Sequence, residues 1–270
     1  MLGPSHALSG AAVWLAASFG AMQFAHFHQS PAQIAIGTAM CAGGALVPDL
    51  DLSGRVTADK GGATVAHTFG VVSLFTAECI EKVSLGVYDV TKTHRDPHRH
   101  NGHRTLTHTL IFTALVGWGV YVGCARYGKT AVLVTLFLSF AMALRGLFAQ
   151  WSKRAGWLLV TAVAGWTTYV AYDHLSSGRG YPILGLSIGA GCLVHLLGDV
   201  ITKEGCPLFW PLPIAHRRWY DVGVPNAVAV KVGGAMEVLV LRTMFFLISL
   251  AATAGLAQHW ASTQIGRLTG

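Results

Sequence analysis

Seven stretches of this chain approach the ~20 consecutive apolar residues that a bilayer-spanning helix requires. They lie at about 7–25, 32–47, 105–125, 130–150, 156–173, 182–201 and 235–257. The second is short, but Pro31 opens it and Pro48 closes it, as expected of a helix that starts and stops sharply. An eighth stretch, 63–82, is interrupted by His67, Glu78, Glu81 and Lys82 and reads as an interfacial helix. The expected fold class is therefore an all-α polytopic membrane protein with about seven transmembrane helices. Only 11% of the residues are charged, against about 25% in a soluble domain, so most of the surface faces something other than water. Thirty-two glycines in that background suit close helix packing in lipid.

The formal net charge of +7 has two readings, nucleic acid or anionic lipid. No Arg/Lys-rich helix or aromatic-basic interleaving supports the first, so no nucleic-acid partner is expected. Basic loops held against anionic lipid on the cytoplasmic side account for the charge. The cysteines (Cys41, Cys79, Cys124, Cys192 and Cys206) form no C-x-x-C pair and read as reduced packing residues. The N-terminal M-L-G-P-S-H-A-L-S-G lacks a basic n-region, so a cleaved signal peptide is not expected.

Parity of the spans sorts the polar residues. With His6 on one face, the first two spans bring Pro48-Asp49-Leu50-Asp51 back to it. If 63–82 stays in the interface, the polar His-rich insert at 83–104 remains there, and His103 and His108 open the third span on the same face. Three further crossings return His195 and Asp199, and Glu237 starts the last span there. That face carries most of the Lys and Arg, so the positive-inside rule makes it cytoplasmic. The chain reads as one domain, 1–270.

The residues on that face have metal-ligand chemistry. His195 and Asp199 stand at i, i+4, on one face of an apolar helix, with Thr202 three residues on. An imidazole and a carboxylate in such a place need a partner, and a metal is the first candidate. Asp49 and Asp51 would diverge on a regular helix, but Pro48 argues for a turn in which both reach a common centre. In G-H-R-T-L-T-H-T (102–109), Gly102 lets His103 sit in a loop while His108 occupies the first helical turns, so both can converge. Thr107 could orient a ligand by hydrogen bonding, and Arg104 could bind a phosphate or carboxylate. His94, His98 and His100 read as a basic loop on the membrane surface. His6 and Glu237 can each be read as a ligand or as an ordinary interfacial or helix-start residue. The aromatic loop Cys206–Pro213 reads either as a re-entrant wall or as an anchor.

The ordered set S-H-A-L-S-G, V-P-D-L-D, G-H-R-T-L-T-H-T, H-L-L-G-D-V-I-T-K-E-G and G-G-A-M-E resembles the membrane-bound metal-dependent hydrolases of the LexA-regulated inner-membrane type. The resemblance implies a bacterial inner (cytoplasmic) membrane as the location, and His6, Asp49, Asp51, His103, His108, His195 and Asp199 as metal-site residues, with Glu237 on a weaker late motif. Relative to compact members, the insert before His103 is long and two extra spans precede His195. An added pair of spans preserves sidedness. The order Asp, His, then H-x-x-x-D is also similar to zinc-dependent phospholipase C and P1-type nucleases, which implies phosphoester cleavage.

The expected function is a membrane-embedded metallohydrolase acting on a lipid or lipid-linked phosphoester. One or two divalent ions would activate water, zinc from the imidazole content or manganese as the alternative. Asp49, Asp51 or Asp199 would act as base, and Arg104 would steady the phosphate. Thr107, Thr202 and Glu237 are supporting candidates. Two other classes fit the same cluster, a metal or ion transporter and a non-catalytic scaffold with a structural metal. Transporter sites usually lie at the midplane rather than at one face.

Overall fold

A computed structural model describes residues 1–52, 68–175 and 181–269, with side chains as far as 262. The helices are α1 (Gly3–Phe24), α2 (Pro31–Gly44), α3 (Val71–Thr91), α4 (Leu110–Leu147), α5 (Ala149–Asp173), α6 (Tyr181–Val200) and α7 (Arg242–Thr269). Short 3₁₀ turns at Pro48–Asp51 and Leu106–His108 precede α3 and α4, and a π-helical turn, Met236–Leu241, leads into α7. Among the described residues there is no strand, only three isolated bridges.

Among the described residues, five helices are long and apolar enough to cross a membrane: Gly3–Phe24, Pro31–Asp51, Leu110–Leu147, Tyr181–Val200 and Met236–Ser262. The expectation of about seven differs mainly at α4, which joins two of the anticipated spans. Gly128 breaks it with φ of 55°, a left-handed conformation open to glycine. Cys124 Sγ and Thr135 Oγ1 lie 3.8 Å apart across the break, whereas a straight helix would separate those residues by roughly 16 Å. The two halves therefore fold back on one another. The anticipated span at 156–173 is the part of α5 that follows Gly156, where the helix is again interrupted.

The anticipated interfacial helix and polar insert meet differently from expectation. Residues 63–67 lie outside the described residues. Helix α3 runs on from Val71 to Thr91, so the expected insert is helical as far as residue 91. No proline or glycine pair stops it earlier, and burial of Ala77, Ser84 and Tyr88 gives it one packed face.

Helix α2 is the axis of the bundle, flanked by α1, α4 and α6. Ser30 caps its start, its side chain accepting from the Gln33 amide while Gln33 reaches back to the Ser30 amide. Pro31 fills the first helical position. Gly191 on α6 lies against the Cys41 carbonyl and the Ala45 amide of α2, and a side chain at 191 would collide with both. This backbone-to-backbone approach is the kind that small residues permit in lipid. Helix α7 packs on α1 and leaves most of its apolar surface, including Leu247 and Leu250, facing outward.

Two irregular segments close the site end of the bundle, the loop after α3 and the long loop between α6 and α7. Arg99 pairs with Asp221 at 2.6 Å. The Trp219 amide donates to Asp96 Oδ1 at 2.9 Å, and its indole N–H donates to Thr91 Oγ1 at 3.1 Å. Trp219 is fully buried, stacked on Trp210 at 4.9 Å and tilted against Tyr88. The five cysteines are free thiols.

Candidate metal centre

The last four carbonyls of a helix have no partner within it. At the end of α2 the turn that follows meets part of that deficit, the Leu46 and Val47 amides donating to the Gly43 and Gly44 carbonyls, and α6 adds to it. Cys192 Sγ reaches the Gly44 carbonyl at 3.3 Å, and one turn on His195 Nδ1 reaches the Ala45 carbonyl at 2.7 Å. A carbonyl only accepts, so the His195 proton sits on Nδ1 and its Nε2 carries a lone pair. The same helix end continues into the 3₁₀ turn through Pro48, which tucks the Asp49 and Asp51 side chains inward, both buried.

His108 is oriented by a second relay. Asp51 Oδ2 accepts from the Thr107 hydroxyl at 2.6 Å, and that hydroxyl has only one proton to give. Its oxygen is therefore an acceptor for His108 Nδ1, 2.9 Å away, and His108 Nε2 is also left bare. The two bare Nε2 atoms face each other at 3.2 Å, both rings fully buried.

Two carboxylate oxygens complete the arrangement. Asp49 Oδ1 lies 3.8 Å from His108 Nε2 and 3.7 Å from His195 Nε2. Asp199 Oδ2 lies 3.5 Å from the first and 3.7 Å from the second. A tetrahedral zinc with bonds near 2.0–2.1 Å sets its ligands about 3.3 Å apart. These five separations, 3.2 to 3.8 Å, are close to the edges of such a tetrahedron.

The other imidazoles flank this core. His6 stacks on His195 with ring centres 3.7 Å apart, and its Nε2 is 3.4 Å from Asp199 Oδ1. Neither of its ring nitrogens has a hydrogen-bond partner, although the residue is buried. The amino group of Met1 approaches the same Asp199 oxygen at 2.5 Å. His103 Nδ1 is 2.8 Å from Asp51 Oδ1, and its ring meets His108 edge-on. His6, His195 and Asp199 form one group able to hold an ion; Asp49, His103 and His108 form another.

The electrostatics differ between the two loop histidines. Burial, together with the nearby His195 and His103, holds the His108 imidazole well below its ordinary value, so it is neutral. Burial also opposes protonation of His103, but Asp51 and Asp49 outweigh it and raise this histidine above the ordinary value.

His6, Asp49, Asp51, His103, Arg104, Thr107, His108, His195 and Asp199 thus come together from α1, the two 3₁₀ turns, the loop just before the second of them, and α6. Two candidates stand apart. Thr202 donates to the Asp199 backbone carbonyl at 2.7 Å and closes the end of α6. Glu237 is fully buried and accepts from the Leu2 amide at 2.6 Å and the Gly233 amide at 2.8 Å, so it ties the start of α1 to the turn before α7. His94, His98 and His100 are exposed in the loop. The Arg104 guanidinium, expected to meet a phosphate, bonds Asp199 and Glu204 instead. Glu204 was not among the sequence candidates, although an acid in T-K-E-G directly after the helix was a readable signal. The Ala45 carbonyl was missed because a backbone acceptor leaves no mark in the side-chain pattern. An apolar cleft of about 450 Å³ between α2, α4 and α5 includes none of the clustered residues.

The family model of the YdjM inner membrane protein matches residues 1–261, so this chain belongs to that inner-membrane family. Neither a curated protein nor a solved structure matches it.

Proposed function

We propose that this chain is a membrane-embedded metal-dependent hydrolase that cleaves a phosphoester of a lipid or lipid-linked substrate. The observation that carries the reading is the facing pair of bare Nε2 atoms on His108 and His195, 3.2 Å apart and out of water. Two lone pairs held so close repel unless a cation stands between them. A proton is disfavoured, because burial and the neighbouring imidazoles keep His108 neutral. A divalent ion fits the donor set, and mixed imidazole and carboxylate ligation suits zinc, with manganese as the second choice.

In this reading His108, His195, Asp49 and Asp199 hold the first ion. His6 and His103 are in place to share a second with Asp199 and Asp49 respectively, the two groups meeting at the His108–His195 pair. When bound, the metal supplies Lewis acidity and an acidified water. The protein does the rest. The Ala45 carbonyl and the Thr107–Asp51 relay fix both imidazole tautomers before any ion arrives. Asp49, less enclosed than Asp199, would serve as the base toward a water held at the site. The start of the long loop bonds Arg104 beside Asp199 through Glu204 and the Gly205 carbonyl, and His195 is fully buried. A site at the helix ends suits a substrate whose scissile group lies at headgroup depth, and the basic loops favour a cytoplasmic orientation of that face.

The test is metal content together with turnover. Detergent-purified protein should carry one to two zinc or manganese ions per chain and hydrolyse lipid phosphoesters in mixed micelles. Asp199→Ala should lose both. Full metal loading without cleavage of any phosphoester would leave a structural metal and end the hydrolase reading.

A further inference from the structure

Arg104 is an unusual residue to find buried. It is 9% exposed, and its backbone adopts φ of 57°, a conformation that a non-glycine residue holds only when its surroundings impose it. Its guanidinium has five N–H donors in a fixed fork. Nη2 meets Asp199 Oδ1 at 3.0 Å. Nη1 meets Glu204 Oε2 at 2.8 Å and the Gly205 carbonyl at 3.3 Å. Nε, also buried, has no hydrogen-bond partner. A charged N–H left in that state is costly unless something else bonds it.

The two carboxylates on this arginine are not equivalent. The Asp199 side chain is 2% exposed, sits on α6 and has its other oxygen turned to the histidine pair. The Glu204 side chain is 57% exposed, on the loop just beyond the helix. A surface ion pair of that kind contributes little and separates readily. In a planar guanidinium the Nε–H lies on the same edge as Nη2. The unbonded donor therefore opens beside Asp199, next to the candidate metal centre.

We propose that Arg104 forms an anion subsite for the phosphate group of the substrate, and that Glu204 is its built-in counter-ion. The incoming anion bonds the unpaired Nε–H, and Glu204 swings out to water as the second negative charge arrives. The subsite selects substrates with an anionic oxygen beside the scissile bond over neutral esters. Guanidinium suits this role because its planar donors match phosphate oxygens. The assignment of this anion as substrate rests on the hydrolase reading; its binding to Arg104 does not.

The experiment is therefore a binding titration. Inorganic phosphate and, separately, dihexanoyl phosphatidic acid are titrated into the full chain in detergent, followed by phosphorus NMR. Each titration is run after chelator treatment and again after zinc loading. Removing the competing charge with Glu204→Gln should tighten phosphate binding by about tenfold. Arg104→Gln should weaken it by at least about tenfold. A Glu204→Gln effect on both ligands assigns the phosphate group itself, whereas an effect on phosphatidic acid alone assigns a lipid headgroup. Unchanged affinity for both ligands in Glu204→Gln overturns the proposal. That variant alters only a surface side chain, so the test stands even if Arg104→Gln fails to fold. Anion binding that follows this pattern in chelator-treated protein upholds the subsite even where no metal or turnover is found. Metal-dependent turnover insensitive to residues 104 and 204 removes the subsite and leaves the hydrolase.

Discussion

His195 and His108 present bare Nε2 atoms to one another at 3.2 Å inside the protein, each with its Nδ1 proton already committed elsewhere. A cation relieves that opposition, so its removal should be felt by the whole bundle. Dialysis against a strong chelator is expected to lower the thermal midpoint, and added zinc to restore it. At a hundredfold excess over the dissociation constant, a ligand that binds only the folded state stabilises by about 2.7 kcal/mol. For a chain of this size that is on the order of 5–10 °C. In His195→Ala the midpoint should no longer respond to chelator. A response that persists in the variant would place the ion elsewhere.

Thr107 separates orientation from ligation. Its hydroxyl passes its proton to Asp51 and leaves its oxygen for His108 Nδ1. Thr107→Val keeps the shape but frees the His108 tautomer and strips Asp51 of a donor. Loss of an outer partner of this kind typically weakens metal affinity by about 10–100-fold. Thr107→Ser should restore it, because only the hydroxyl is needed. Equal zinc affinity in the valine and wild-type proteins, measured by competition with a chromophoric chelator, would show that the relay has no bearing on the metal.

Much of this arrangement was legible because it rests on spacing. One helical turn separates His195 from Asp199, and Pro48 forces the turn that carries Asp49 and Asp51, both consequences of backbone geometry. The all-helical membrane fold followed from the length of the apolar runs. What spacing does not report is where an unpaired backbone group finds its partner. The Ala45 carbonyl that orients His195 lies 150 residues away in sequence. Nor does it report that Glu237 holds the Leu2 amide, or that Arg104 is shared by two acids. The extent of α3 was missed for a related reason. A helix with one narrow packed face and charges at Glu78, Glu81, Lys82 and Asp89 looks like a polar insert when only its composition is read.

Gly191 tests whether the site depends on helix approach as well as on its own side chains. A methyl group there would collide with the Cys41 carbonyl and the Ala45 amide. Gly191→Ala must push α6 from α2, and the Ala45 carbonyl that holds His195 lies at that contact. Overpacking of this kind costs about 1–3 kcal/mol. The variant is expected to lose metal as well as thermal stability, although it touches no ligand. Thermal destabilisation with full metal content would show that the α2–α6 contact and the site are independent.

Asp96 joins the loop after α3 to the long loop between α6 and α7, and its ionisation gives a pH signature. Burial opposes its charge, but hydrogen bonds from the Thr93 and Trp219 amides and the Thr93 hydroxyl outweigh this and lower it from the ordinary carboxylate value. A carboxylate held low in the folded state contributes stability above its unfolded value, near 3.9. That contribution is lost as pH falls through the folded value. Asp96→Asn should therefore loosen the Trp219 region at pH 7, seen as faster hydrogen exchange of the Trp219 amide and a change in fluorescence of the Trp210–Trp219 stack. The difference between variant and wild type should shrink only as the pH falls through the lowered folded value of Asp96, beneath the ordinary carboxylate range, where the wild-type side chain also becomes neutral. A difference of the same size at pH 7 and at a pH below that folded value would mean that the charge on Asp96 does not hold the two loops together, and that shape alone does.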